Sequence, residues 1–371
     1  METGAYLNWK SIELIQVPLR FREPFRVKGV ERMTRDCLLL RCETPQGRVV
    51  WSECSALPNP DYWYETTYTA WWALNHYLIP AVLKWDGCHS ASDVAPRLNR
   101  IMVGHPMAKS ALEMAYWQWE AMEHSVPLSK WLCASFDHDR LIPSRIPLQR
   151  VLGETDFKKA DHILSLTNMP LKLKVSPSTL HHTIEWLESI PRPVGLDANT
   201  SLTPEMVQAI PPNQLSLLEQ PFPVGDWRSA ALISGITIVL DESIATIADI
   251  QTAIDTTSAH IINIKASRVG GFGPALAMAK MASHNGLGVM VGGMHESAVG
   301  RWLAMQLAAA CADRPSELMP MGDQFTWDVG THHSVDRNGM GEVMDEITVD
   351  EERIQMSCIR NQRHTGANST H

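Results

Sequence analysis

The sequence predicts an α/β protein: a (β/α)8-type barrel with an N-terminal α+β capping domain. Three observations lead there. Eight short apolar runs alternate with helix-like stretches between about residues 146 and 320, the rhythm of strands joined by helical crossovers. Acidic residues close three consecutive runs at an even spacing of 22 residues, at Asp197, Glu219 and Asp241, which fits one strand plus one helix per unit. Ahead of this region, strands come first and a block of helices follows, the order of an α+β domain.

The cap begins with an apolar strand over residues 11–19. Strands over 36–44 and 48–56 flank Pro45-Gln46-Gly47, a turn with Pro early and Gly late. The intervening 24–33 segment reads as a polar loop around Gly29. Residues 66–83 form a helix that Pro80 stops or kinks, and 90–102 form a second. Residues 106–122 form the strongest helix, with Pro106 in its first turn and Ala, Met, Leu and Glu throughout. The cap spans 1–135, the barrel with its metal and catalytic residues 136–325, and a segment over 326–371 returns to the cap before a polar, disordered tail from Asn361.

The barrel strands are the apolar runs 146–153, 171–176, 194–199, 215–221, 237–243, 261–265, 288–293 and 316–320. Carboxylates at the carboxyl ends of successive parallel strands converge on one mouth. Three there repel one another unless a hard divalent cation sits among them, and all-oxygen donors favour Mg2+, with Mn2+ a substitute. Neighbours in a strand face opposite ways, so Asp241 is the ligand and Glu242 a supporting group. Lys172 and Lys174 differ by two and share a face; a lysine pair aimed into a core is costly unless paired or neutral. Lys265 closes a later strand and faces Lys174 across the mouth. Lysines on either side of a cation suggest proton transfer at a carbon beside a carboxylate. Arg268, three residues on, carries a charge that lowers the pKa of Lys265.

Composition excludes other classes. The chain has 371 residues and a net charge of −9, with no basic stripe for nucleic acid. Its apolar stretches end well short of the roughly 20 residues of a membrane helix. Seven scattered cysteines without a CxxC pair and an N-terminus lacking a signal-peptide pattern place it in the cytoplasm with reduced thiols. No serine has a GxSxG setting, and the Gly270-Gly271 and Gly292-Gly293 pairs form no phosphate loop. The partner is a small-molecule carboxylate; the sequence leaves open whether the chain forms a homo-oligomer.

The order KxK, DAN, EQP, DES, NIK and GGMxE behind an α+β cap resembles the enolase superfamily. Within it, the stretches PFRVKG, WSECSALPNPDYWYET, HPMAKSALEMAYW, GLDANTSLT and GGMHESAVGR are most similar to o-succinylbenzoate synthases and N-acylamino acid racemases of the muconate-lactonizing subgroup. The resemblance implies Mg2+ on Asp197, Glu219 and Asp241, acid/base roles for Lys174 and Lys265, and Lys172 as partner of the KxK pair. It also implies closure of the mouth by the loop carrying Lys28 and by residues 58–64, with Gly293, Met294, His295 and Glu296 lining the pocket. The chain departs from the family where His295 replaces an apolar residue, where WSE replaces WGE, and where Trp117-Gln118 replaces tryptophan-aspartate.

Overall fold

The computed structural model describes residues 6–27, 30–137, 139–256, 259–320 and 324–366. The first sheet is antiparallel. Strands β1 (Ser11–Val27), β2 (Val30–Glu43) and β3 (Val49–Cys54) follow one another in it. In place of the loop expected at 24–33, residues 24–27 and 30–33 belong to β1 and β2, while Lys28 and Gly29 lie outside the described residues. Pairing resumes at Phe25 opposite Arg32 after a register shift beyond Arg20, because a bulge absorbs the irregular residues without ending the ladder.

The helices follow. Helix α1 (Thr67–Ala73) starts with a capping box on Thr66, passes through a π-turn at Leu74–Leu78 and continues as α2 (Ile79–Val82). Pro80 neither stops nor isolates the helix: the wider π-turn just before it takes up the missing N–H. Then come α3 (Val94–Ile101), α4 (Pro106–Glu123) and α5 (Leu128–Phe136). Helix α4 is buried from Met107 to Ala121, so its apolar residues surround it instead of forming a stripe.

Next, β4 (Arg145–Pro147) and β5 (Arg150–Leu152) split the first barrel run in two. Thereafter α6 (Phe157–Leu166), β6 (Leu171–Lys174), α7 (Leu180–Leu187), β7 (Val194–Asp197), α8 (Pro204–Gln208), β8 (Leu215–Glu219), α9 (Trp227–Ala231), β9 (Ile238–Leu240), α10 (Ile247–Thr256) and β10 (Ile261–Ile264) alternate. They are followed by α11 (Ala266–Val269), α12 (Phe272–His284), β11 (Gly288–Val291) and α13 (Ala298–Cys311). Strands β5 to β11 lie in chain order as one parallel sheet. The eighth run supplies the closure: Ser316 bridges Leu148 in parallel, and Glu317 N donates to Val291 O at 2.9 Å.

After that closure the chain returns to the cap as expected, and among the described residues no helix lies between Cys311 and Glu351. The chain instead forms β12 (Met340–Glu342) on β4, α14 (Glu351–Ser357) and β13 (Arg360–Thr365), which pairs antiparallel with β1. The polar end expected to be disordered is therefore an edge strand as far as Thr365. Its main-chain bonds to β1 order it without any apolar residue of its own.

Two cap carboxylates lock the domains together. Glu53 on β3 accepts from Ser297 N, Ser297 Oγ and Gly300 N at 3.0, 2.6 and 3.1 Å, at the start of α13. Glu113 on α4 accepts from Phe272 N and Gly273 N at 2.7 Å, at the start of α12, and from Trp117 Nε1 at 2.7 Å. Helix N-termini offer unpaired N–H groups and partial positive charge, which suits an anion. Burial nevertheless pushes the Glu113 carboxyl up to about 7, against those three bonds. The folded protein thus holds this proton more tightly than the unfolded chain does. The stability that Glu113 contributes is greatest at low pH and declines as pH rises from about 4.5 toward 7. Glu113→Gln places an amide N–H against donors, so it costs about 1–3 kcal/mol and removes that decline; urea unfolding at pH 5 and pH 8 measures both.

Candidate active site

Five consecutive parallel strands bring the charged residues to one end of the barrel. Lys174, Asp197 and Glu219 are the last residues of β6, β7 and β8, while Asp241 and Lys265 follow β9 and β10 directly. The ladder aligns Lys174 with Asp197 and Asp197 with Glu219. Asp197, Glu219, Asp241 and Lys265 are all buried, and Lys174 is the more open of the two strand-end lysines.

Each lysine meets an acid. Lys174 Nζ lies 3.1 Å from Asp197 Oδ2 and donates to Asn199 Oδ1 at 2.5 Å. Lys265 Nζ lies 2.8 Å from both Asp241 Oδ2 and Tyr62 OH. Lys172 sits deeper, bonded to Glu219 and Glu317 and 4.0 Å from Asp197 Oδ2. A buried lysine is tolerated because these acids surround it. Gly195 and Gly292 leave room for the long side chains. A Cβ at Gly195 would come 3.1 Å from Lys172 Cγ, and one at Gly292 would come 2.8 Å from Lys265 Cε and 2.5 Å from Asn263 Oδ1.

Arg268 donates to the Asp241 carbonyl at 2.7 Å and to Tyr62 OH at 2.9 Å, with its NH1 2.8 Å from Asp241 Oδ1. The expected lowering of Lys265 by the Arg268 charge is present, but it is one of the smaller influences on that lysine. Burial does push Lys265 down, but Asp241 and then Tyr62 outweigh it, and the ammonium is held well above its ordinary range with Arg268 a lesser opposing charge.

The acids respond to one another. Burial raises Glu219, Lys172 opposes it, and Asp197 and Asp241 add to the rise. Burial also works on Asp197 and Asp241, but Lys174 and Lys172 lower the first, and Arg268 and Lys265 hold the second well below the carboxylate range. Glu242 is pushed up to about 7 by burial and then by Asp241 and Asp197. Its Oε1 accepts from Asn199 Nδ2 at 3.1 Å, while among the described residues its Oε2 has no hydrogen-bond partner.

Among the described residues no three acids, histidines or cysteines stand close enough to grip a metal ion; each strand-end acid is instead held by a lysine. The donor chemistry still fits a hard divalent cation. The acids are oxygen-only, they raise one another's protonation, and one buried carboxylate oxygen beside them lacks a partner.

The remaining pocket residues divide. Met294 is buried, and its N–H donates to Glu296 Oε1 at 2.7 Å; Glu296 Oε2 lies 3.1 Å from Arg301. The Glu296 carboxylate thus braces its own loop. His295 has φ 55°, its carbonyl accepts from Arg35 Nε at 3.2 Å, and its ring stands edge-on to Phe21 at 6.4 Å. Burial, then the charges of Arg301, Lys174, Arg35 and Lys265, keep its imidazole neutral. Lys28 lies outside the described residues.

Sequence reasoning missed two contributors, Asn263 and Glu317, and reached a third, Tyr62, only as part of the 58–64 segment. Asn263 donates to Glu219 Oε1 at 2.9 Å; its position two residues before Lys265, on the same strand face, was a usable signal. Glu317, an acid opening the last apolar run, reaches Lys172. Tyr62 reaches the mouth from the cap, and nothing local marks it among six tyrosines.

A parallel barrel with acids and lysines on its strand ends, under an antiparallel cap, defines an enolase-type protein. The comparisons agree. Residues 171–352 match the family model described as enolase C-terminal domain-like, and residues 11–133 match the N-terminal domain of mandelate racemase and muconate lactonizing enzyme. An o-succinylbenzoate synthase of Enterococcus faecalis is 31% identical over 82% of this chain and 84% of its own. An N-succinylamino acid racemase of Amycolatopsis is 31% identical over 82% and 83%. The solved structure of an enolase superfamily member from Enterococcus faecalis superposes with a TM-score of 0.84 at 26% identity, covering 97% of this chain and 100% of that one.

The chain belongs to the enolase superfamily, in the family of o-succinylbenzoate synthases and N-acylamino acid racemases. These are enzymes, and no helix among the described residues is long and apolar enough to cross a membrane.

Gly292→Ala tests the packing of the mouth. The new methyl forces Asn263 or Lys265 aside, and overpacking of this kind costs about 1–3 kcal/mol, read as a lower urea midpoint.

Proposed function

We propose that the chain is a Mg2+-dependent o-succinylbenzoate synthase that dehydrates a hydroxycyclohexadiene-carboxylate on the route to menaquinone. The observation that carries the reading is the placement of Lys174 and Lys265 on either side of the Asp197, Glu219 and Asp241 cluster. A Mg2+ ion held by those three acids would supply neutralising charge to the substrate carboxylate. Lys174 Nζ takes the proton from the carbon beside that carboxylate, leaving an enediolate. Loss of hydroxide from the β-carbon follows on the same face; the proton on Lys174 leaves with it as water, and the ring becomes aromatic. The ammonium of Lys265, fixed by Asp241 and Tyr62, stabilises the developing negative charge from the other face.

The second reading, an N-acylamino acid racemase such as an N-succinylamino acid racemase, is favoured by Arg268, whose bonds to Asp241 and Tyr62 build a cationic pair around Lys265. There Lys265 returns a proton to the face opposite Lys174. Both readings take a small carboxylate as substrate.

Incubation with Mg2+ and the hydroxycyclohexadiene-carboxylate, followed by ultraviolet absorbance, decides between them. Conversion is expected in the wild type and falls at least a thousandfold in Lys174→Ala. No conversion, together with deuterium exchange at the α-carbon of an N-succinylamino acid, would establish the racemase instead. Asp241→Asn is expected to weaken Mg2+ binding at least tenfold by calorimetry, and equal affinity would remove Asp241 from the ligand set. His295→Leu restores an apolar wall and is expected to change kcat/KM at least tenfold while Mg2+ affinity holds.

A further inference from the structure

A second cavity lies outside the barrel mouth, where cap helices α3 and α4 face the loops after β9 and β10. Its volume is about 220 Å³, and Trp63, Tyr64, Asn99, Lys109, Thr246 and Arg268 are among the residues that line it. Among the described residues no acid lines it. Two of these side chains are cations taken almost wholly out of water: Lys109 is 5% exposed and Arg268 is 1% exposed.

Neither cation is fully matched. Lys109 Nζ donates to Asn99 Oδ1 at 2.9 Å, a neutral acceptor, and among the described residues no carboxylate lies within ion-pair distance of it. Glu65 is the acid whose charge reaches it, but the Glu65 oxygens already accept from Met107 N and Ala108 N at 2.8 and 2.9 Å. Burial accordingly draws the Lys109 ammonium below its ordinary range. Arg268 uses both terminal nitrogens on Asp241 and Tyr62, while among the described residues its buried Nε–H has no acceptor. A buried ammonium without a carboxylate partner, on a cavity wall shared with a guanidinium and, among the described residues, without acids, is a setting that an anion completes. Asn99 and Thr246 are exposed at the rim, so the space opens to solvent.

We propose that this cavity binds a small oxyanion, a carboxylate or a phosphate, at the Lys109 ammonium, with the Arg268 guanidinium on the same wall. The occupant would also touch Trp63 and Tyr64, next in the chain to Tyr62, and so steady the cap segment that reaches Lys265. The proposal is independent of which reaction the barrel performs.

The test is calorimetric titration of the metal-free protein with inorganic phosphate and, separately, with succinate. At least one is expected to bind; phosphate alone assigns a phosphoryl ligand, and succinate alone a dicarboxylate. Lys109→Met is expected to weaken that binding at least tenfold, and Lys109→Arg to retain it. Ala95→Phe, which fills the cavity from α3 without touching either cation, is expected to abolish binding, so a misfolded Lys109→Met would not leave the outcome open. Lys174→Ala is expected to bind as the wild type does. Binding that survives Lys109→Met and Ala95→Phe but is lost in Lys174→Ala would place the anion in the barrel mouth and overturn the proposal, as would absence of binding by both probes.

Discussion

Like charges crowded into a buried mouth are the constraint on which this structure turns. Asp197, Glu219, Asp241 and Glu242 lie close enough to influence one another, and burial alone would drive them toward protonation. Lys172, Lys174, Lys265 and Arg268 meet that demand at ion-pair distance, the lysines from strands or strand ends and Arg268 from α11. The parallel ladder sets the spacing of these groups, and glycines at 195 and 292 clear the paths of two lysines. A shift of one residue in β8 would turn Glu219 out of the mouth and leave the Lys172 ammonium with one acid fewer.

The cap depends on the same electrostatics at longer reach. Glu53 and Glu113 each meet the start of a barrel helix, which fixes β3 and α4 against α13 and α12. With those two anchors set, Tyr62 reaches Lys265 and Arg268 from the cap. Phe325, which bridges Phe21, ties the base of the long hairpin to the segment that follows the barrel.

Most of the barrel was legible because its strands are buried on both faces and read as continuous apolar runs, so a charged residue ending one stands out. Asp197, Glu219, Asp241, Lys174 and Lys265 were found in that way, and the structure brings all five to one end. Apart from Asn263, what escaped lacked a local signal. The residues of β13, Arg-Asn-Gln-Arg-His-Thr, are all polar, and an edge strand held by main-chain bonds needs no apolar alternation. The hairpin beyond Arg20 was hidden by its bulge, and the continuity of the helix through Pro80 by a π-turn that propensity does not register. Tyr62 acts across a domain junction, where spacing along the chain carries no information.

The pairing of β13 with β1 has a consequence for how the molecule is made. The cap sheet is assembled from opposite ends of the chain, with the whole barrel inserted between them. During synthesis, β1 waits with one edge open until Thr365 has emerged, while the barrel strands already have neighbours to pair with. The barrel can therefore order first, and the sheet that governs access to it is sealed last.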